Sequence, residues 1–414
     1  MATAFFDALE TRAPEARERE LLRALSRQVE RARRDAPGFA RLLAGVDAHD
    51  INSRQALAQL PVVRKSDLKD LQRAQLPFAG LTTVPVGGLG RVFASPGPTY
   101  DPQGRCVDYW RMARALFAAG FRKHDLVHNC FAYHFTPAGF MADLGAQALG
   151  CAVFPGGTGN TELQVAVIHD LRPAGYVGTP SFLRIIVEKA DELGVDISSL
   201  KRALVAAEAL PESLRAQLDD RGISTLQCYG SADLGLIAYE SEAKEGMIVD
   251  EGVIVEIVRP GTGDLVADGE VGEVVVTTLT AEYPLLRLAT GDLSAVLPGI
   301  SPCGRTNTRI KGWLGRAEQA TKVKGMFVHP SQIAEVARRH PQIVKFRLAV
   351  DFDERKLDRM TLRCELRVAP DQALQTAIEM SIREVCKLRG EVEFVPAGSL
   401  PNDGKVIDDA RKYE

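Results

Sequence analysis

Near the start of the chain, apolar residues recur at intervals of three and four among arginines and glutamates. The positions that follow this spacing are Leu21, Leu22, Leu25, Val29 and Ala32. The pattern predicts an amphipathic helix over residues 14–45, interrupted at Pro37, because proline cannot continue a helix. Since glutamates are interleaved with the arginines of its polar side, we interpret that side as a solvated, ion-paired surface and not as an RNA-binding one.

Between about residues 105 and 300, helix-like and strand-like segments alternate. The predicted helices are 109–119, 138–149, 163–170 and 180–193, and the predicted strands are 126–130, 152–155, 174–177 and 202–206. Such alternation is typical of a mostly parallel sheet covered by helices. Ligands of such sheets bind at the carboxyl ends of the strands, so we expect functional residues just after the strands.

The pattern changes after residue 247. Residues 247–297 contain runs of β-branched residues around a glycine-rich turn at 260–264, which predicts a β-rich, antiparallel subdomain. From about residue 317 onward a small α+β unit is predicted. Its segments are strands at 347–351, 360–366 and 391–395 and a helix at 371–388. The predicted fold class is α/β, with a large N-terminal domain of mostly parallel, helix-covered sheets and a β-rich subdomain, followed by the small α+β domain.

Composition excludes several classes of protein. The 414 residues include 51 Lys and Arg against 54 Asp and Glu, a formal net charge of -3, whereas a general nucleic-acid binder carries a basic excess. The seven cysteines are odd in number and form no Cys-x-x-Cys motif, which favours a reducing compartment. No apolar run approaches the roughly 18 residues of a membrane span. We therefore expect a cytoplasmic enzyme that binds neither nucleic acid nor membranes.

Short motifs say little when each is taken alone. The glycine-rich segments 87–90 and 156–159 fit neither the dinucleotide-binding pattern nor the P-loop, and both are more typical of turns. A histidine among aromatic residues, such as His134, is more often a packing residue than a catalytic one. The sequence therefore gives no positive support for a nicotinamide-dependent or P-loop enzyme.

Five other segments are informative because of their order. They are 227–233 (QCYGSAD), 286–292 (LRLATGD), 312–318 (GWLGRAE), 322–325 (KVKG) and 400–405 (LPNDGK). Further segments fall in the same order, namely 160–164 (NTELQ), 178–181 (GTPS), 206–208 (AAE), 303–306 (CGRT) and 324–332 (KGMFVHPSQ). Over most of its length the chain resembles the adenylate-forming, AMP-binding acyl-CoA synthetase superfamily and, within it, the phenylacetate–CoA ligase branch.

The resemblance implies both an architecture and a reaction. Members have a large N-terminal domain and a small mobile C-terminal domain, here residues 1–316 and 317–414, joined near Glu318. They use ATP and Mg²⁺ to convert a carboxylic acid into an acyl-adenylate, and the thiol of coenzyme A then forms the acyl-CoA thioester. The branch implies an aromatic, phenylacetate-like or related small acid. Dimers are common in the family, so a homodimer is a further expectation.

The resemblance also assigns catalytic roles, position by position. Lys405 matches the lysine that reaches the carboxylate and the α-phosphate, where negative charge builds up and a fixed cation is favourable. Arg316 matches the hinge-side arginine that reaches the nucleotide, and Asp292 matches the carboxylate that accepts from the ribose hydroxyls. Asp233 stands where the family usually has a Glu that holds Mg²⁺, and its side chain is one methylene shorter.

Other positions match the binding sites for adenine, coenzyme A and the acyl group. Those that match the adenine slot are Tyr229, Gly230, Ala206, Ala207 and Glu208. Those that match the loop of the thioester step are Lys324 and Gly325, and those that match an aromatic segment near the acyl pocket are Phe131, Tyr133 and His134. Several relatives carry a Cys-x-Cys-Gly segment where this chain has only Cys303, so we expect no structural zinc site.

One segment departs from the family pattern. The family's phosphate loop is rich in Ser, Thr and Gly and usually ends in Lys, whereas residues 93–102 read FASPGPTYDP. Pro96, Pro98 and Pro102 lack the backbone N–H that a phosphate cradle uses, and Asp101 adds a negative charge. These changes predict a high KM for ATP.

Two alternatives to a CoA ligase stay open. A protein of this fold that has lost adenylation and acts as a binding or regulatory subunit agrees with the proline-rich loop. The presence of Lys405, Asp292 and Arg316 argues against it. Adenylation followed by transfer of the acyl group to a carrier-protein thiol is barely separable from the CoA reaction by sequence.

Overall fold

The computed structural model describes residues 4–95, 99–317, 321–353 and 356–411. The chain divides into two compact units. The first comprises Met1–Val255, Val276–Leu288 and Leu297–Gly312, and the second comprises Glu256–Val275, Ala289–Val296 and Trp313–Glu414. The predicted junction at Glu318 lies outside the described residues.

Helices occur in both units. The α-helices are α1 (Pro14–Asp35), α2 (Pro37–Leu42), α3 (Arg54–Ala58), α4 (Lys65–Ala74), α5 (Met112–Ala118), α6 (Ala138–Ala148), α7 (Thr161–Leu171), α8 (Pro180–Leu193), α9 (Glu212–Asp220), α10 (Pro330–Arg338) and α11 (Gln372–Cys386). Short 3-10 helices are Ala8–Thr11, Ala48–Asp50 and Val86–Gly88. None of the helices in the described ranges has the length and apolar composition that crossing a membrane requires.

The strands are distributed over the whole chain after residue 62. They are β1 (Val63–Arg64), β2 (Arg91–Ser95), β3 (Thr99–Gln103), β4 (Leu126–Asn129), β5 (Ala152–Pro155), β6 (Gly175–Gly178), β7 (Arg202–Val205), β8 (Ser224–Ser231), β9 (Gly235–Tyr239), β10 (Met247–Val249), β11 (Val253–Val258), β12 (Gly272–Thr278), β13 (Leu288–Ser294), β14 (Val296–Leu297), β15 (Arg309–Ile310), β16 (Thr321–Val323), β17 (Met326–Val328), β18 (Ile343–Phe352), β19 (Asp358–Leu366), β20 (Glu391–Val395) and β21 (Ile407–Asp409).

In the first unit, the predicted alternation of helices and strands builds a mixed sheet. From β15 onward, its strands follow the order β15-β10-β9-β8-β7-β6-β4-β5. The strands from β8 to β5 run parallel, whereas β8, β9, β10 and β15 pair antiparallel. The strands β13, β12 and β11 are neighbours, in that order, in another sheet. This architecture confirms the predicted α/β fold class.

The core of the mixed sheet explains why its strand ends are well positioned. Val177, Leu204 and Leu226 lie side by side in register on β6, β7 and β8, and each is at most 4% exposed. Parallel strands are buried on both faces, which is why their sequences are apolar runs. Burial of each such side chain contributes about 1.5–3 kcal/mol, so the segments that follow these strands start from a fixed frame.

The second unit contains the small α+β fold that was predicted from residue 317 onward. Its strands follow the order β20-β19-β18-β21, with β18 antiparallel to β19 and parallel to β21. Ile378 and Ile382 of α11 are fully buried in one core with Val350 and Leu362 of the sheet. The strands predicted at 347–351 and 360–366 are confirmed, although both are longer in the structure.

Helix boundaries differ from the prediction where capping or proline decides them. The helix predicted over 14–45 divides into α1 and α2 at Pro37. The helix predicted over 109–119 begins only at Met112, because the Asp108 carboxylate accepts hydrogen bonds from the backbone N–H groups of Met112 and Ala113 at 2.8 and 3.0 Å. A carboxylate that satisfies the first N–H groups of a helix sets its N-terminus.

Candidate active site

Several predicted site residues follow the carboxyl ends of neighbouring strands in the first unit. Tyr229 and Gly230 lie near the end of β8, Ala207 follows β7, and Phe131 and Tyr133 follow β4. Since β4, β6, β7 and β8 are parallel neighbours, their carboxyl ends share one edge of the sheet. This is the edge at which ligands bind in sheets of this type.

The end of β8 is shaped by a close approach of backbone. The register between β8 and β9 shifts between Tyr229 and Gly230. A Cβ atom at Gly230 would overlap the carbonyl oxygen of Gly235, so only glycine fits there. Tyr229 is half-buried beside it. Its side chain therefore extends from a part of β8 whose backbone has little conformational freedom.

The segment after β7 leaves two residues exposed at the same edge. Ala207 has a φ of +69°, a left-handed conformation that is uncommon for a residue with a Cβ. Glu208 accepts a hydrogen bond from the backbone N–H of Ser181, which lies in the first turn of α8, at 3.3 Å. A carboxylate is favourable at a helix N-terminus, so this contact holds the segment in place.

A buried asparagine organises the aromatic segment after β4. Asn129 is 0% exposed. Its amide donates to the Tyr133 hydroxyl at 2.7 Å and to the Gly139 carbonyl at 2.9 Å, while its oxygen accepts from the N–H of Phe131 at 3.1 Å. The Tyr133 hydroxyl in turn donates to Asp143 at 3.0 Å. Burial and the Asp143 charge raise the pKa of Tyr133, so the hydroxyl stays protonated.

His134 lies apart from this hydrogen-bonded arrangement. It is exposed, and the described contact of its ring is an edge-on one to Phe135, at 6.5 Å between centroids. His134 is therefore next to the aromatic segment in sequence, but its side chain is not fixed by hydrogen bonds as that of Tyr133 is by Asn129.

The glycine-rich segment after β5 is a structural turn. Gln164 of α7 donates to the carbonyls of Gly156, Gly157 and Gly159 at 2.9, 3.2 and 3.2 Å. Its own oxygen lies 2.6 Å from Nε2 of the buried His128. Since that oxygen can only accept, Nε2 of His128 is the donor. Burial lowers the pKa of His128. The segment thus presents carbonyl oxygens to Gln164, as a turn would.

Asp233 lies in a buried group of charges that the sequence analysis did not assemble. Its side chain is 2% exposed, and its Oδ2 is 2.5 Å from Nζ of Lys65 at the start of α4. Asp101 on β3 is 0% exposed and accepts a hydrogen bond from the hydroxyl of Ser95 on β2. Burial, followed by the negative charge of Asp233, raises the pKa of Asp101 to about 8.

The phosphate-loop position belongs to the hairpin of β2 and β3. Pro102 pairs with Val92, and Ser95 pairs with Thr99. Residues 96–98, which include Pro96 and Pro98, lie outside the described residues. The described part of this segment therefore directs a carboxylate, Asp101, into the protein.

In the second unit, Asp292 meets two donors. Its Oδ1 lies 2.8 Å from Nη1 of Arg316 and 3.0 Å from the indole nitrogen of Trp313. A backbone bridge also joins Asp292 to Arg316. The side chain of Asp292 is 16% exposed and that of Arg316 is 52% exposed. The structure thus brings these two predicted site residues together as an ion pair.

Lys405 lies on a loop held within the second unit. Asn402 accepts from the N–H of Val271 at 3.0 Å and donates to the carbonyl of Gly269 at 3.2 Å. The neighbouring Gly404 packs against the side chains of Val271 and Leu293. Leu293 follows Asp292 on β13, and successive strand side chains point to opposite faces. Lys405, which is exposed, is therefore next to the β13 face opposite Asp292.

Lys324 and Gly325 form the tip of the hairpin between β16 and β17. Their φ angles are +48° and +85°, as a two-residue hairpin turn requires. The N–H of Lys324 donates to Oδ2 of Asp358 at 2.6 Å. Apart from Gly325 and its two chain neighbours, no heavy atom of the described residues lies within 4 Å of the position a Gly325 Cβ would take. The tip is anchored on one side and open on the other.

Comparison with known proteins places this arrangement in a family. A family model described as AMP-binding enzyme matches residues 106–280. The phenylacetate-coenzyme A ligase of Thermus thermophilus is 35% identical over 374 residues, which are 84% of this chain and 82% of that protein. The phenylacetate-coenzyme A ligase of Escherichia coli is 32% identical over 392 residues, 87% of this chain and 86% of that protein. The chain belongs to the phenylacetate–coenzyme A ligase family.

A solved structure of a related ligase covers nearly the whole chain. It is 2-hydroxyisobutyryl-CoA ligase in the postadenylation state in complex with 2-HIB-AMP, with a TM-score of 0.72 and 25% identity over 99% of this chain and 93% of that one. The family member described here is thus an AMP-forming acid–coenzyme A ligase that uses ATP and coenzyme A, as its sequence predicts.

Lys65, Asn129 and Gln164 are the functional-site neighbours that sequence reasoning missed. Lys65 begins a helix far from Asp233 in the sequence, and Asn129 ends an apolar strand as a single polar residue. A polar residue that interrupts a buried strand signals a hydrogen-bonded position, so Asn129 could have been found. No comparable signal marks Lys65.

Proposed function

We propose that this ligase activates an aromatic, phenylacetate-like acid as its acyl-adenylate and then forms the CoA thioester. The observation that carries the choice of acid is the aromatic segment at the carboxyl edge of the sheet, where Asn129 and Asp143 fix the Tyr133 hydroxyl and Phe131 is held by the same asparagine. An apolar wall with a few fixed polar groups suits an aryl acid. Two of its relatives are named as ligases of phenylacetate.

In this proposal, two polar groups and a lysine act on the nucleotide. Asp292 accepts from the ribose hydroxyls, and Arg316, already paired with it, adds a positive charge beside the nucleotide. Lys405 supplies the cation for the carboxylate of the acid and for the α-phosphate, where charge accumulates during the attack. Its exposed side chain can take up such a ligand.

The adenine and thioester steps use backbone as much as side chains. Tyr229 stacks on adenine, and Gly230 lets the base approach the chain because no Cβ intervenes. The exposed Ala207 and Glu208 form the opposite wall. Lys324 and Gly325, at an open hairpin tip, contact the pantetheine arm during thioester formation.

The residues around Asp233 fit a Mg²⁺ ion. Carboxylate oxygens are the ligands that this hard cation prefers, and Oδ1 of the buried Asp101 accepts no hydrogen bond from any N–H or O–H group in the described ranges. In such enzymes the ion neutralises charge on the polyphosphate. The proline-rich loop at 93–102 offers few backbone donors for that purpose, so we propose that ATP binds weakly and with a high KM.

The experiment that tests the proposal measures pyrophosphate release with a panel of aryl, arylacetyl and short aliphatic acids, with and without coenzyme A. We expect release with arylacetyl acids and accumulation of the CoA thioester. If no acid of the panel causes pyrophosphate release and calorimetry detects no nucleotide binding, the protein is a binding or regulatory one instead. Pyrophosphate release without any CoA thioester would favour transfer to a carrier-protein thiol.

A further inference from the structure

The segment that carries Lys405 lies against a face of the sheet in the second unit. This segment, residues 400–405, connects β20 to β21 and is called the lysine loop. Leu348 of β18 is buried in the core that the sheet shares with α11. Because successive side chains of a strand point to opposite faces, Lys345 and Arg347 of the same strand lie on the other face. The contacts of these two residues connect that face to the lysine loop.

The start of the lysine loop is bound through both backbone groups of Leu400. Nζ of Lys345 donates to the carbonyl of Leu400 at 3.1 Å, and the N–H of Leu400 donates to Oε1 of Glu365 at 2.8 Å. Glu365 is opposite Lys345 in the register of β18 and β19, and it is 5% exposed. Two oppositely charged side chains of adjacent strands therefore fix the point at which the loop leaves the sheet.

The end of the lysine loop is bound by Arg347, which is 6% exposed. Its Nη2 forms an ion pair with Oδ1 of Asp403 and lies 3.5 Å from the carbonyl oxygen of Pro401. The same Oδ1 of Asp403 accepts a hydrogen bond from the backbone N–H of Lys405 at 3.1 Å. Hydrogen bonds with ionised partners are the stronger ones, so the guanidinium holds the backbone of Lys405 through a single carboxylate oxygen.

The residue before Lys405 explains why such a restraint is needed. Gly404 has a φ of +70°, and glycine leaves the backbone more conformations than any other residue. The side chain of lysine is itself long and flexible, so the position of its ammonium depends on where its backbone is held. A buried ion pair by itself adds little stability compared with apolar residues of similar size. The pair of Arg347 and Asp403 is therefore better explained by the loop conformation that it selects.

We propose that Arg347 is a positioning residue for activation of the acid, because through Asp403 it fixes the backbone from which Lys405 acts. The inference rests on the proposed function, in which Lys405 serves the adenylate-forming step and the hairpin tip at Lys324 serves the thioester step. The strand β18 and the lysine loop belong to the same unit, so the restraint stays with the lysine. Loss of the restraint should slow the first step and leave the second unchanged.

The test compares the two steps in full-length Arg347→Met. Pyrophosphate release with ATP and an arylacetyl acid should fall by about 10- to 100-fold, because a small displacement of a reacting group is enough for such a loss. Formation of the CoA thioester from a chemically synthesised arylacetyl-adenylate should stay within about twofold of the wild type. The matched control is Arg363→Met, which removes an exposed arginine that is opposite Arg347 in register and pairs with Glu393. It should leave both steps unchanged. Normal pyrophosphate release in Arg347→Met, or an equal loss in both steps, overturns the proposal.

A second variant keeps the proposal testable if Arg347→Met does not fold. The side chain of Asp403 is 39% exposed, so Asp403→Ala removes the other partner of the ion pair from a more accessible position. We expect the same selective loss of pyrophosphate release. Since the two residues act as one unit, the double variant should be no slower than the slower single variant. Losses that multiply in the double variant contradict the inference.

Hydrogen exchange separates failure of this inference from failure of the proposed function. In the nucleotide-free protein, the amide of Lys405 should exchange faster in Arg347→Met than in the wild type or in Arg363→Met, because its acceptor is no longer held. Unchanged exchange of this amide overturns the inference. If exchange accelerates but the wild type activates no acid, the restraint on the loop stands, and the proposed substrate and reaction fall. If Arg347→Met activates acids as fast as the wild type, the ligase assignment stands and the positioning role is wrong.

Discussion

Asp292 lies on β13 and Asp233 follows β8; both contact a cationic side chain, yet their surroundings are opposite in kind. Asp292 is held by the guanidinium of Arg316 and the indole of Trp313, whose side chains are about half exposed. Asp233 is almost completely buried, and the ammonium of Lys65 lies 2.5 Å from its Oδ2. The first setting is open to a ligand, whereas the second needs positive charge to be stable.

This difference indicates that recognition of the phosphates of a nucleotide can change while recognition of its ribose is kept. The position proposed for ribose keeps a carboxylate with polar donors, as hydroxyl recognition requires. The position proposed for the phosphates has prolines and a buried acid in place of backbone donors and a lysine. Variants whose effects differ between AMP and ATP, or between reaction rate and binding, therefore test this difference.

The largest effect should come from Lys405→Ala, because the proposed mechanism places the charge of this lysine at the reacting atoms. We expect adenylation to fall by about 10²–10³-fold, measured as pyrophosphate release. Folding should be retained, since the side chain is exposed and its described hydrogen bond is a backbone one to Asp403. Lys387→Ala, another exposed lysine of the second unit, is the control. Normal pyrophosphate release in Lys405→Ala would remove the lysine from the mechanism.

The next effect tests the ribose side of the comparison. Asp292→Asn should weaken AMP and ATP alike, by about 10- to 100-fold, because a charged acceptor of hydrogen bonds is lost. Calorimetry with each nucleotide measures this directly. The exposed Asp264 gives a matched control, Asp264→Asn, without expected effect. If ATP were weakened while AMP was not, Asp292 would belong to the phosphate side.

How much of these two sites the sequence predicts depends on whether the contacts that form them join residues close together or far apart in the sequence. The parallel strands were predictable because burial on both faces leaves apolar runs such as Val177 with its neighbours. Asp292 and Arg316 could each be recognised because a family motif specifies it, whereas their ion pair is seen only in the structure. The start of α5 could not be predicted in this way. It depends on a capping contact from Asp108, and the apolar periodicity does not record such a contact.

The environment of Asp233 could not be predicted from sequence for a different reason. Asp101 was recognised as an unusual charge in the phosphate-loop segment, but alternation along a short hairpin does not say which carboxylate will lie beside it. Lys65 has neither a motif nor a periodic position to mark it. Its contact with Asp233 exists only through the tertiary fold, which the sequence pattern does not record.

A moderate effect should come from Asp101→Asn, and only on the phosphate side. We expect ATP to bind about tenfold more weakly in the presence of Mg²⁺, because the proposed function counts the Asp101 carboxylate among the groups that fit the ion, while AMP, which lacks the β- and γ-phosphates, binds as before. Calorimetry with both nucleotides measures the contrast. Tighter ATP binding in the variant would mean that the Asp101 carboxylate repels the phosphates and that no cation intervenes.

The smallest effect concerns whether the orientation of Asp292 matters. Trp313→Phe removes the indole N–H that donates to Asp292 at 3.0 Å but keeps an aromatic ring and the Arg316 contact. The loss of one hydrogen bond should raise the KM for ATP about threefold and leave kcat unchanged. Trp110, the other of the two tryptophans, is 1% exposed, so nucleotide-dependent changes in tryptophan fluorescence should come from Trp313 and vanish in the variant. A persistent fluorescence change would place the nucleotide near Trp110 in the first unit, and an unchanged KM would mean that Arg316 alone is enough to orient the carboxylate.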